Sequence, residues 1–222
     1  MNKTIDQAIV LRRVNYSEKD RVLTALSKEN GKISVFAKGV RGQKSKLSAG
    51  VELLNINEFS FIDGKSNLKT LTGSRIITFN DNIVKDIKKT NFCFEALKLI
   101  TKIVEDNEGQ EYFDVLKNYL ISINDDLLDY RLVEVWFILK VLAISGVMPD
   151  IIVEDDDDSD NYIFDYDKQM FINRENADFT KNDIKLLRLL KQNIKPIKLT
   201  KECGSEEQLL NFSKTLLQNN LD

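Results

Sequence analysis

The chain has 222 residues, 42% of them hydrophobic and 30% charged, with a formal net charge of −3. That composition belongs to an ordinary globular protein able to bury a core, and it excludes a disordered or membrane-embedded chain. There is no histidine, which excludes Ser-His and Cys-His nucleophilic pairs and every histidine-containing zinc site, so the expectation is a protein that is not an enzyme.

The net charge conceals an asymmetry. Residues 1–80 hold 14 Lys+Arg against 7 Asp+Glu, a net of +7, whereas the remaining residues hold 18 against 28, a net of −10. An anionic partner is therefore expected on the front half. The opening Met1 to Gln7 is polar and the next apolar run is too short for a leader or a membrane span, which points to the cytoplasm and away from membranes. Cys93 and Cys203 have no metal-ligand spacing.

In chain order, Gln7 to Val14 is β-branched and apolar and reads as a strand ending in Arg12-Arg13. Asn15 to Asp20 turns the chain, Arg21 to Ser27 reads as a second strand, and Lys28-Glu29-Asn30-Gly31 is a turn, since Asn-Gly readily takes positive φ. Lys32 to Lys38 is a third strand. The loop after it carries Lys38, Arg41, Lys44 and Lys46 with Gly39, Gly42 and Gly50 and no acidic residue. Lys and Arg neutralise phosphates, and glycine lets the main chain approach closely, so this loop suits a polyanion backbone; a solvated basic hairpin loop has the same composition. Leu53 to Ile62 and Leu68 to Phe79 complete five strands, the last bent at Gly73. Five strands with a long loop after the third suggest a small barrel of OB type. An SH3-like barrel or an open meander gives nearly the same pattern.

At Asn80-Asp81-Asn82 the hydrophobic period becomes helical. Ile83, Ile87, Phe94, Leu97, Ile100, Ile103 and Val104 are expected on the buried face of a first helix, and a second runs from Gln110 to Ile123. The third, Asp129 to Ser145, is apolar nearly all round and should be the buried spine of a helical domain, stopped by Gly146 and Pro149. Glu154 to Asp160 holds six carboxylates in seven residues but lacks EF-hand spacing, so it reads as a solvated loop and not a metal site. Asn161 to Asn173 is a hairpin around Asp167-Lys168. Thr180 opens a further helix, and Ser205 caps the last.

The fold class is thus α+β: an N-terminal five-stranded OB-type barrel over 1–80, then an α-helical domain over 81–222 carrying an acidic loop and small hairpin at about 147–178. Arg12, Arg13, Arg21, Lys38, Arg41, Lys44 and Lys46 come from segments that a barrel can bring to one face. Phe36, Phe59 and Phe61 are either base-stacking surfaces beside them or barrel core.

The order Ala8-Ile9-Val10-Leu11-Arg12-Arg13, Asp20-Arg21, Gly31-Lys32-Ile33-Ser34, Ala37-Lys38-Gly39-Val40-Arg41 and Lys44-Ser45-Lys46-Leu47 resembles the N-terminal domain of the bacterial recombination mediator family RecO. The likeness continues through Leu68 to Thr72, Phe94-Glu95 and Leu142 to Pro149. The resemblance implies a non-enzymatic, nucleoid-associated protein that binds single- and double-stranded DNA and anneals complementary strands. It works with RecR, often with RecF, to load recombinase on DNA coated by single-strand-binding protein. It makes Arg12, Arg13, Arg21, Lys38, Arg41, Lys44 and Lys46 the DNA-contacting set. It puts the C-terminal tail of single-strand-binding protein on the helical domain, with Trp136 and Lys140 as candidates. Many members carry a four-cysteine zinc module after the helix matching Asp129 to Ser145, but that region here has no cysteine. Neither metal nor cofactor is expected, and Tyr162, Phe164, Tyr166 and Phe171 should hold the hairpin instead. Two other readings are an adaptor working through the helical half and a metal-dependent nuclease using Asp155 to Asp158.

Overall fold

The structure, a computed structural model, describes residues 3–64, 67–154, 161–175, 177–198, 200 and 204–221. The chain divides into two compact units, Met1–Asp126 and Leu127–Asp222.

Five strands, β1 (Lys3–Asn15), β2 (Arg21–Ser27), β3 (Gly31–Ala37), β4 (Ile56–Ile62) and β5 (Leu68–Thr78), close into a barrel in the order β1-β2-β3-β5-β4. All joins are antiparallel except β3 with β5. This is the OB arrangement, and an open meander is ruled out by closure. Period-2 alternation puts Ala8, Val10, Leu23, Ala25, Ile33, Val35, Phe59, Phe61 and Leu71 into one core, and Val40 and Val51 from the β3–β4 connection join them. Asp6 pins the β2–β3 turn: its carboxylate accepts from the Ser27 hydroxyl, from Glu29 N at 3.0 Å and from Asn30 Nδ2 at 2.8 Å. The expected bend in β5 appears where Thr72 is an extra residue beside Gly73 in the register with β4.

The expected boundary at 80/81 marks the end of the barrel, yet the first compact unit runs on to Asp126. Its physical reason lies in β1. Ile9 and Leu11 belong to no part of the barrel core but are 0% and 5% exposed, and α2 packs against β1. The first expected helix is in fact two, α1 (Asp81–Lys85) and α2 (Ile87–Ile103), because Asp86 is extended and its carboxylate caps α2 through Lys88 N and Lys89 N. Within α2 the buried stripe is Cys93, Leu97 and Ile100, so Phe94, one residue past Cys93, is 36% exposed, and Ile87 at the helix start is 72% exposed. The third helix of this unit, α3, spans Glu111–Asn124. The barrel is tied to the helices by Lys32. Its amide donates to Glu108 O and its carbonyl accepts from Asn107 N, both at 2.8 Å. Its ammonium reaches the carbonyls of Thr101 and Val104 at the end of α2, the favourable place for a cation on a helix.

In the second unit, α4 (Tyr130–Ile144) is the expected spine, with Leu132 through Leu139 buried without a gap. Gly146 ends it at φ +73, with Val147 N bonded back to Leu142 O. A four-stranded sheet follows in the order β6-β8-β7-β9, from β6 (Val153–Glu154), β7 (Asn161–Asp165), β8 (Met170–Asn173) and β9 (Phe179–Thr180). The hairpin β7–β8 pairs Phe164 with Phe171. Their rings, with those of Phe179 and Phe212, form one cluster at centroid separations of 5.0 to 5.5 Å. Tyr166 leans on Phe164 at its edge. Phe212 belongs to α6 (Glu206–Leu221), so the sheet is stapled to a helix by aromatic packing. Thr180 and Asp183 form a capping box at the start of α5 (Lys181–Gln192), and Asp183 also accepts from the Ser205 hydroxyl.

The acidic block Asp155 to Asp160, the turn residues Lys65 and Ser66, and Cys203 lie outside the described residues.

Candidate nucleic-acid interface

The basic residues of the first unit are set by three local features of the barrel. The first is a bulge in β1: Val10 pairs with Ala25 and Arg12 with Thr24, so Leu11 is the extra residue. Beyond it Arg13 pairs with Leu23 and therefore shares the barrel's inner face, whereas Arg12 lies on the opposite face. The second is the turn after β1, held by Ser17 and Asp20, whose side chains bond to each other at 2.8 Å. The third is the loop after β3. Asp20 Oδ1 accepts from Gly39 N at 2.7 Å, and Arg41 N donates to Lys19 O at 3.0 Å. The Arg41 guanidinium donates to Ser17 O at 2.9 Å. The two loops are thus one hydrogen-bonded edge. The Gly39 amide, followed by the Ser17 hydroxyl and the nearby charge of Lys38, holds the Asp20 carboxyl below its usual range.

Arg13 and Arg21 converge on Glu52. Arg21 NH1 is 3.1 Å from Glu52 Oε1, and Arg13 bonds to the other carboxylate oxygen. Arg21 also donates to Asn15 Oδ1 at 3.2 Å. Its guanidinium is pushed down from its ordinary value by partial burial, then by the positive charges of Arg13 and Arg41. Arg13 and Arg41 are therefore both close enough to repel Arg21. Lys38, Arg41, Lys44 and Lys46 are all exposed and, among the described residues, none has a carboxylate within ion-pair distance.

Arg13, Arg21, Lys38 and Arg41 consequently share one edge of the barrel, Lys44 and Lys46 continue along the same loop, and Arg12 stands apart. It lines a groove of about 400 Å³ between the end of β1 and α2, floored by Leu11, Leu53 and Leu97 and edged by Arg13 and Lys98. Lys19, exposed in the turn that Arg41 holds, adds a cation that sequence reasoning had left inside a polar turn.

The aromatic expectations divide. Phe59 and Phe61 are 0% and 1% exposed and belong to the core, so they offer no stacking surface. Phe36 is half-buried and meets Tyr16 edge-on at 5.6 Å, and Tyr16 is 72% exposed in the turn after β1 that Arg41 tethers. Tyr16 is the aromatic that sequence reasoning missed. Its signal was an aromatic in a polar turn, where no core demands one.

In the second unit Trp136 is 4% exposed within the spine helix and presents no surface to a partner. Lys140 donates to Gln192 O at 2.8 Å, and burial lowers its basicity. Among the described residues no group of three Cys, Asp or Glu side chains is arranged to hold a metal ion, and no helix is long and apolar enough to cross a membrane.

Residues 1–80 match the family model described as Recombination protein O N terminal. The chain is 32% identical over 147 residues to the DNA repair protein RecO of Heliobacterium modesticaldum, covering 65% of this chain and 52% of the relative. It is 30% identical over 151 residues to that of Acetivibrio thermocellus, covering 67% and 59%. It is 28% identical over 143 residues to that of Listeria monocytogenes, covering 64% and 56%. The chain thus matches little more than half the length of these relatives. The barrel of residues 1–80 therefore matches the N-terminal domain of the recombination protein O (RecO) family, and the chain is similar to RecO proteins over about two thirds of its length.

Proposed function

We propose that the protein acts in DNA repair and recombination as a non-catalytic mediator, binding single- and double-stranded DNA along the basic edge of its barrel and annealing complementary strands. The observation that carries this reading is the run of exposed cations Lys38, Arg41, Lys44 and Lys46, none within ion-pair distance of a carboxylate among the described residues, on the loop joined to the Arg13 and Arg21 edge. Unpaired cations on a hydrogen-bonded edge give backbone affinity without sequence preference, which is what annealing requires of a protein that must meet any strand. Tyr16 supplies one exposed ring beside them for stacking. RecR, often with RecF, and the tail of single-strand-binding protein complete the reading as partners, with recombinase loading in the nucleoid as its outcome.

A strand-annealing assay tests it. Two complementary labelled oligonucleotides should pair faster with the native chain than alone, and the acceleration should vanish when Arg41, Lys44 and Lys46 are all changed to Glu. Equal acceleration by both chains would favour an adaptor working through the second unit, whose complex with RecR would be indifferent to those changes.

A further inference from the structure

The groove between β1 and α2 is not needed by the edge just described, and its chemistry is specific. Its floor is aliphatic, from Leu11, Leu53 and Leu97, and Phe94 stands in its wall with 36% of its surface exposed. Arg12 and Arg13 line it from the strand side, and Asn91, Glu95 and Lys98 from the helix side. The one carboxylate in its lining, Glu95, is matched by Lys98 at 2.7 Å, and Arg13 is matched by Glu52, so Arg12 leaves the groove net positive. Arg12 has no carboxylate within ion-pair distance among the described residues. Arg13 belongs both to this groove and to the Glu52 cluster, so groove and edge are continuous. The bulge at Leu11 sends Arg12 to this face, and Phe94 reaches it from the edge of the buried Cys93, Leu97 and Ile100 stripe of α2.

A ring in an apolar wall beside the unpaired guanidinium of Arg12 fits an unstacked nucleobase and its phosphate. We infer that this groove takes a nucleotide of single-stranded DNA, its base against Phe94 and its phosphate on Arg12, extending the strand path past the barrel edge. The inference rests on the DNA-binding reading above. A duplex keeps its bases stacked and paired, so the groove distinguishes single strands from double strands where the edge does not.

Phe94→Leu keeps the wall apolar and removes the ring face. Binding of a fluorescent mixed-sequence oligonucleotide and of the matching duplex is measured for the native chain and this variant, with thermal melting as a check on the fold. Single-strand affinity is expected to fall on the order of tenfold, the size of one lost stack, with duplex affinity and melting unchanged. An oligonucleotide made of abasic sites should bind both chains equally. Equal losses on single strand and duplex, or no loss on either, would overturn the assignment. Should the variant melt early, Arg12→Gln takes its place, with the same selective loss expected. A native chain that binds neither DNA form defeats the underlying reading, whereas native binding with an indifferent Phe94 defeats the groove alone.

Discussion

Arg21 holds Glu52 at 3.1 Å, and the same carboxylate takes a hydrogen bond from Arg13. One internal anion therefore sits between two cations of the proposed DNA-binding edge. Glu52→Gln should tighten DNA binding at low salt and steepen its fall with salt, because two cations become available and each phosphate they take adds about 0.7 to 0.9 to the slope. The side chains of this cluster are partly solvated, so the fold should lose no more than about 1 kcal/mol. Glu18→Gln, in the exposed turn, should leave the slope unchanged. A salt titration of both variants checks the contrast.

Asp20 gives the edge a pH limit. Its carboxyl is held below its ordinary value first by the Gly39 amide, then by Ser17, with Lys38 contributing. A depressed folded value means that the tether is complete at neutral pH and is lost only as pH falls through that value. The Gly39 amide resonance should stay at its neutral-pH position through mild acid and move only in strong acid. In Asp20→Asn it should show no such transition, and its hydrogen exchange should quicken.

Gly31 sits at φ +65, and a Cβ there would lie 2.2 Å from Glu108 O. Gly31→Ala must move the backbone that joins barrel to helix. Chemical denaturation should show a loss greater than about 1 kcal/mol, with Gly39→Ala, where open space surrounds a similar φ, losing less.

The second unit relies on rings. Phe171 is fully buried among Phe164, Phe179 and Phe212. Phe171→Ala should cost about 3 to 5 kcal/mol, read as a lower melting temperature. A chelator should leave the melting of the native chain unchanged, because the hairpin region contains no cysteine to hold zinc.

Much of this was legible in the sequence where one force acts alone. Alternation gave five strands, Asn30-Gly31 gave a turn at positive φ, and the period change at Asn80-Asp81-Asn82 closed the barrel segment. The loss of register at Leu11 was not legible, because a bulge changes no residue type and shows only in the partner strand. Nor was the break at Asp86, where a capping carboxylate ended one helix and began another within an unbroken apolar period. Phe59 and Phe61 were ambiguous because a strand shows which residues share a face but not which face is inside. Lys38, Arg41, Lys44 and Lys46 were readable as cations on a glycine-rich loop. Glu52 escaped notice because its partners lie 31 and 39 positions away.

The most direct test is binding of fluorescent single-stranded DNA at several salt concentrations by the native chain and by the chain with Arg41, Lys44 and Lys46 changed to Glu. The account predicts salt-sensitive binding by the native chain and none by the variant, with melting temperatures in agreement. Native binding that is absent at low salt, or that survives the triple change undiminished, would contradict it.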